Sequence, residues 1–101
     1  MARRQIVWSS DAENQFKQIL NYFISRNQST RYSSRLLSLI TDATHQISQT
    51  PEIGLHCENQ STRMLIFKDY LIYYEFTDSH LFILNIRDAL QNPNDAPFER
   101  I

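Results

Sequence analysis

The sequence predicts an α+β fold of order β-α-α-β-β-β, with an N-terminal strand and a helical hairpin packed on an antiparallel sheet. Three observations predict it. A short β-rich segment ends at a helix-capping pattern, two stretches of 3.6-residue apolar periodicity are separated by a short polar link, and β-rich runs at the end are parted by breaks of two residues. A chain of 101 residues has room for one hydrophobic core, so residues 1–101 are read as a single domain.

The first strand is Arg4 to Ser9, and Ser10 with Glu13 has the Ser-x-x-Glu spacing of a capping box. Ala12, Phe16, Ile19, Leu20 and Phe23 then form one stripe, predicting a helix over about 11–26. Asn27 to Thr30 is polar. Beyond it Tyr32, Leu36, Leu39, Ile40, Ala43 and Ile47 repeat the stripe until Pro51, predicting a second helix over about 30–49. So short a link makes the helices antiparallel neighbours. The segment 51–61 holds the only glycine, Gly54, and reads as an exposed connector. Three strands follow, at 62–67, 70–77 and 80–87, with Lys68-Asp69 and Asp78-Ser79 as hairpin turns. The end of the chain, with Pro93 and Pro97, reads as irregular, and residues 94–101 as a mobile tail.

Composition narrows the function classes. Ten basic against eleven acidic residues give a formal charge of -1, which supplies no general cationic field for nucleic acid. A lone cysteine, Cys57, cannot form an internal disulfide and fits a reducing compartment, so the cytoplasm is expected. No stretch approaches the roughly 20 apolar residues of a membrane span, and no membrane partner is expected. His56, Cys57 and Glu58 are adjacent and have no second ligand cluster, so neither a metal nor another cofactor is expected. His45 and His80 read as solvated residues, His80 keeping some interest at the end of the sheet.

Two-residue turns fix a register by counting: Arg63 opposite Tyr74, Leu65 opposite Ile72, Phe67 opposite Tyr70, then Tyr74 opposite Ile83, Ile72 opposite Asn85 and Tyr70 opposite Arg87. One face then carries Met64, Ile66, Leu71, Tyr73, Glu75, Phe82, Leu84 and Ile86, and is assigned to the core. The other carries Arg63, Leu65, Phe67, Tyr70, Ile72, Tyr74, Ile83, Asn85 and Arg87. Of these Arg63, Tyr70, Tyr74, Asn85 and Arg87 form the predicted target-binding face. The bland alternatives are that the arginines pair with Glu75, Asp69 or Asp88 and that the tyrosines are packing residues.

The order of elements, with Ile6-Val7-Trp8-Ser9, Thr62-Arg63-Met64-Leu65, the run Tyr70 to Tyr74, Ile83-Leu84-Asn85-Ile86 before Arg87, and Gln91-Asn92-Pro93, resembles the RelE/ParE superfamily of toxins from bacterial type II toxin–antitoxin systems over about residues 4–93. The resemblance implies a growth-arresting protein neutralised by a cognate antitoxin. Tyr22, Ile24 and Leu37, beside the main helical stripes, are the residues expected to widen them into a groove for the antitoxin. Two mechanisms divide the superfamily. ParE-like members inhibit DNA gyrase, whereas RelE-like members bind the ribosome and cleave mRNA, using arginines at positions that match Arg63 and Arg87. A guanidinium grips phosphate and offsets charge in the transition state, so these two would be catalytic in a nuclease. RelE-like nucleases also place a tyrosine or histidine just after the last strand, and Asp88 to Asn92 contains neither. That absence and the near-neutral charge favour a ParE-like inhibitor acting on a protein target such as gyrase. A ribosome-dependent nuclease and a non-toxic interaction module of the same fold are the alternatives.

Overall fold

A computed structural model of the chain describes residues 4–59 and 61–89. The predicted mobile tail, 94–101, lies outside them. The elements are β1 (Gln5–Trp8), α1 (Ser10–Asn27), α2 (Arg31–Gln49), a single 3-10 turn (Pro51–Ile53), β2 (Leu55–His56), β3 (Arg63–Phe67), β4 (Tyr70–Phe76) and β5 (His80–Asp88). They follow the predicted order with one addition, the two-residue strand β2 inside the segment read as a connector. β2 pairs with β3 through Leu55–Met64 and His56–Arg63. It is too short to show a period.

The sheet has five strands in the order β1-β5-β4-β3-β2. β1 does not pack on the sheet from outside but joins it, running parallel to β5 from Gln5–His80 to Trp8–Ile83. A parallel neighbour needs a crossover connection, and here the helical hairpin carries the chain from β1 at one edge to β2 at the other, from which the antiparallel strands return to β5. Helix α1 starts at the predicted cap residue itself, Ser10. Ser9, in extended conformation, is the N-cap, and its hydroxyl accepts from the Ala12 amide at 3.0 Å. The spacing of Ser10 and Glu13 therefore misplaced the cap by one residue, because Ser9 is still held by the sheet through its amide on the Ile83 carbonyl at 2.9 Å.

At its other end α1 closes on Gln28 in the left-handed region, φ 54° and ψ 33°. That position normally falls to glycine, since any Cβ there is strained. Gln28→Gly is accordingly expected to stabilise the chain by about 0.5 kcal/mol, net of the lost bond from the Gln28 amide to the Ser25 carbonyl, which thermal unfolding would register as a Tm rise of a few degrees.

The two helical stripes close over the sheet. Ala12, Phe16, Leu36, Ile40, Ala43 and Ile47 are buried, Trp8 stacks on Phe16 at 5.5 Å, and the Ser33 hydroxyl donates to the Leu20 carbonyl at 2.7 Å, joining the two helices. Tyr32, at the start of the second stripe, remains exposed.

Both hairpins have the predicted turns. Arg63–Tyr74, Leu65–Ile72 and Phe67–Tyr70 are opposite one another, as are Tyr74 and Ile83. Lys68 takes a positive φ of 53°, which primed two-residue turns require at their first central position. The register then shifts between Tyr73 and Tyr74: Tyr73 faces Asn85, Ile72 faces Ile86, Leu71 faces Arg87 and Tyr70 faces Asp88. One extra residue of β5 is accommodated in a bulge, so the predicted pairs Ile72–Asn85 and Tyr70–Arg87 do not form.

The assignment of faces is reversed on β3, on β4 and on β5 as far as the bulge; beyond it Ile86 is buried in the core, as assigned. Tyr70, Ile72, Tyr74 and Ile83 are buried in the core with Leu65, Phe67 and Phe76 packed against them, whereas Ile66 is 58% exposed. Both faces are rich in apolar residues, so alternation defines two sets without saying which is covered. The tyrosines can enter the core because their hydroxyls find partners. Tyr74 donates to the Pro51 carbonyl at 2.7 Å and accepts from the Gly54 amide at 2.9 Å, and Tyr70 is hydrogen-bonded with Tyr32. Glu75, assigned to the core, instead lies half-buried on the far face and accepts from the Thr62 hydroxyl at 2.8 Å. A carboxylate in the proposed core was the available signal that the faces were exchanged.

Candidate functional site

The bulge divides the predicted target-binding residues. Arg63 lies on the helix-covered side of the sheet, where its guanidinium donates to the carbonyls of Glu52 at 3.1 Å and Gly54 at 2.8 Å. It therefore fastens the 51–54 segment rather than pairing with Glu75 or Asp69. Arg87, opposite Leu71, lies on the other side. Tyr70 and Tyr74 are 3% and 0% exposed and have no face to offer a partner. Asn85 is half-buried, and its carbonyl oxygen accepts from the Gln15 amide at 2.9 Å. The single surface of Arg63, Tyr70, Tyr74, Asn85 and Arg87 expected from counting does not exist, because one inserted residue inverts the sidedness of everything beyond it.

The structure instead joins Arg87 to a residue predicted for antitoxin binding. β1 ends opposite Ile83, and beyond it α1 runs beside the last part of β5. Between them is a groove of about 540 Å³ lined by Gln15, Gln18, Ile19, Tyr22, Phe23 and Arg26 from α1 and by Ile86, Arg87 and Asp88 from β5. Tyr22 is 55% exposed, its ring set edge-on to Phe23 at 5.0 Å, and Phe23 in turn meets Tyr32 at 4.6 Å. The Arg26 guanidinium lies 6.0 Å from the Tyr22 ring and donates to its hydroxyl at 3.2 Å. Beyond this aromatic row a smaller cleft of about 290 Å³ is lined by Asn27, Ser29, Arg31, Tyr32 and Arg35. Ile24 is half-buried and lines neither cleft, and Leu37 is exposed on α2 away from both. Gln15, Gln18 and Arg26 were not singled out from sequence, and Ile19 and Phe23 were read only as part of the apolar stripe of the first helix. The i, i+3, i+4 spacing of Gln15, Gln18 and Ile19 and of Ile19, Tyr22 and Phe23 marks one helical side, but only the tertiary structure shows what that side meets.

The remaining candidates are unremarkable chemically. Cys57 is buried, which pushes its thiol up and leaves it a poor nucleophile. His56 and Glu58 on either side are exposed, and the His80 ring stacks on Phe82 with Nδ1 2.7 Å from the Ser79 hydroxyl. His45 is exposed on α2.

Burial also raises the pKa of Tyr70 and Tyr74, above all by desolvation; the bond and charge of Tyr32 add to the effect at Tyr70. Unfolded tyrosines ionise near pH 10, and the folded state resists ionisation to higher pH. The stability so contributed is fully present below about pH 10 and is lost as pH rises from there through the raised folded values. Denaturant unfolding followed between pH 8 and pH 11.5 is expected to show a falling midpoint only in the upper part of that range; a flat profile would contradict the burial of these hydroxyls.

A helical hairpin over a mixed five-stranded sheet, with a groove between α1 and β5 lined by Tyr22, Arg26 and Arg87, defines a small α+β domain. Residues 6–93 match the family model described as the ParE toxin of type II toxin–antitoxin system, parDE, and the chain belongs to that family. It is thus a toxin component, with an antitoxin as its partner. Among solved structures, a chain of the chromosomal ParDE system from P. aeruginosa superposes with a TM-score of 0.70 at 13% identity, covering 85% of this chain and 96% of that one. This likeness supports the fold. The E. coli DinJ–YafQ toxin–antitoxin complex aligns at 18% identity with a TM-score of 0.48, over 90% of this chain and 100% of that one. No curated protein matches the chain in sequence. No helix among the described residues is long and apolar enough to cross a membrane.

Proposed function

We propose that the chain arrests growth in the cytoplasm by binding a protein target, DNA gyrase, and that its cognate antitoxin neutralises it by occupying the groove between α1 and β5. The observation that carries binding over cleavage is the separation of Arg63 and Arg87. Two guanidiniums grip one phosphate only when they converge, and here one is engaged by the carbonyls of Glu52 and Gly54 while the other lies across the sheet. Family membership over residues 6–93 supports the same reading.

The groove has the features of a protein-binding site, with an exposed tyrosine, arginines and an apolar floor at Ile19 and Ile86. Four arginines, Arg26, Arg31, Arg35 and Arg87, line it and the adjoining cleft, against one acidic residue, Asp88. A segment presenting apolar and acidic side chains is the complementary occupant. Because Tyr22 and Arg87 share the groove, an antitoxin seated there also covers Arg87.

Purified chain is expected to inhibit gyrase supercoiling at near-stoichiometric amounts, with the antitoxin restoring activity. Ribosome-dependent mRNA cleavage without any effect on gyrase would overturn this reading in favour of a nuclease, and expression without growth arrest would identify a non-toxic interaction module.

A further inference from the structure

The bulge in β5 is held by two side chains from the start of α1. β1 ends at Trp8, opposite Ile83, so the following residues of β5 have no strand on that side among those described. Ser9 extends the pairing by one step: its amide donates to the Ile83 carbonyl at 2.9 Å and its hydroxyl to the Leu84 carbonyl at 2.9 Å. Gln15 then uses both ends of its amide. Oε1 accepts from the Ile86 backbone amide at 2.9 Å, and Nε2 donates to Asn85 Oδ1, also at 2.9 Å. A side-chain amide carries the donor and acceptor of a peptide group; here Oε1 takes up the backbone N–H of Ile86 as a neighbouring strand's carbonyl would, and Nε2 ties the same side chain to that of Asn85.

These bonds fall where the register changes. Tyr74 faces Ile83, Tyr73 faces Asn85, and Leu71 faces Arg87. With no inserted residue, the same count would set Arg87 opposite Tyr70, on the side covered by the helices, where a guanidinium would have to be desolvated. A bulge leaves backbone groups without their ladder partners and persists when something else takes them up. Ser9 and Gln15 do so, and Gln15 itself lines the groove beside Arg87.

The geometry points to Gln15 as the positioning residue that holds the β5 bulge and thereby fixes Arg87 in the partner groove. The functional half of this inference rests on the reading that the groove with Arg87 serves toxicity; the structural half stands apart from it. Gln15 supports the site through the backbone of β5, so its loss acts on the alignment of that strand and not on global folding alone. Glutamate at position 15 keeps the clamp, since a carboxylate accepts from the Ile86 amide and from an Asn85 side-chain amide turned to donate.

The experiment compares Gln15→Leu, Gln15→Glu and Arg87→Ala in the full chain, by NMR and by viable counts after induced expression. In Gln15→Leu the cross-strand contacts from Leu71 to Arg87 and from Tyr73 to Asn85 are expected to be lost and the Ile86 amide to exchange on the order of tenfold faster. Pairs nearer the turn, such as Tyr74–Ile83, persist. Growth arrest is relieved in Gln15→Leu, as in Arg87→Ala, and returns in Gln15→Glu together with the cross-strand contacts. Unchanged contacts and exchange in Gln15→Leu overturn the clamp. Should Gln15→Leu fail to fold, loss of these contacts in a folded Gln15→Glu chain overturns it equally, and their retention supports it. Full arrest by Arg87→Ala would instead remove the role of Arg87, and with it the functional half, while the NMR comparison still decides whether Gln15 holds the bulge.

Discussion

Tyr74→Phe is expected to lower the unfolding free energy by about 2–4 kcal/mol, although it removes one oxygen and leaves the ring in place. The Tyr74 hydroxyl is buried and holds two backbone groups, donating to the Pro51 carbonyl and accepting from the Gly54 amide. Removing it leaves a buried donor and a buried acceptor without partners, each costing about 1–3 kcal/mol, partly relieved because Glu52 and Ile53 are exposed and the segment can shift. For a domain of this size the loss corresponds to a Tm drop on the order of 10–20 °C, measurable by circular dichroism. A change below about 0.5 kcal/mol would show that the segment finds other partners.

The same contact explains the chain's only glycine. Gly54 has an ordinary φ of -81°, so its backbone does not require glycine. A Cβ there would stand 2.9 Å from Cε1 and Cζ of Tyr74 and closer still to the hydroxyl, so the close approach of backbone to ring is what excludes a side chain. Arg63 reaches the same segment from β3. Loss of toxicity in Arg63→Ala would therefore speak to catalysis only if the variant retained its stability, because the side chain also fastens the 51–54 segment.

Tyr22→Ala is expected to weaken antitoxin binding by about 2 kcal/mol, roughly 30-fold in Kd, with little change in the stability of the free chain. Its ring is 55% exposed, yet it is braced by Phe23 and by Arg26, so it offers a partner a large contact area at small entropic cost. Exposed tyrosines held in this way are typical anchors of protein interfaces. Isothermal titration against the cognate antitoxin checks the value. Leu37→Ala is the matched control, since Leu37 is 48% exposed but lines neither cleft, and equal losses from the two variants would move the interface off the groove.

The sequence by itself determined the order of the elements, the two hairpin turns and the helical stripes. Each rests on neighbours close along the chain: Phe16 and Leu20 are one helical turn apart, and Phe67 is opposite Tyr70 because two residues separate them. Arg87 was legible as a site candidate and Tyr22 as a surface anchor, but their meeting was not. Only the tertiary structure decided which face of the sheet the helices cover, that β1 runs beside β5, and that β5 takes in an extra residue before Arg87. Two nearly equally apolar faces satisfy the same alternation, and a bulge leaves no periodic trace. What selects among these arrangements is whether distant groups are satisfied: the hydroxyl of Tyr74 by Pro51 and Gly54, and the open edge of β5 by Ser9 and Gln15.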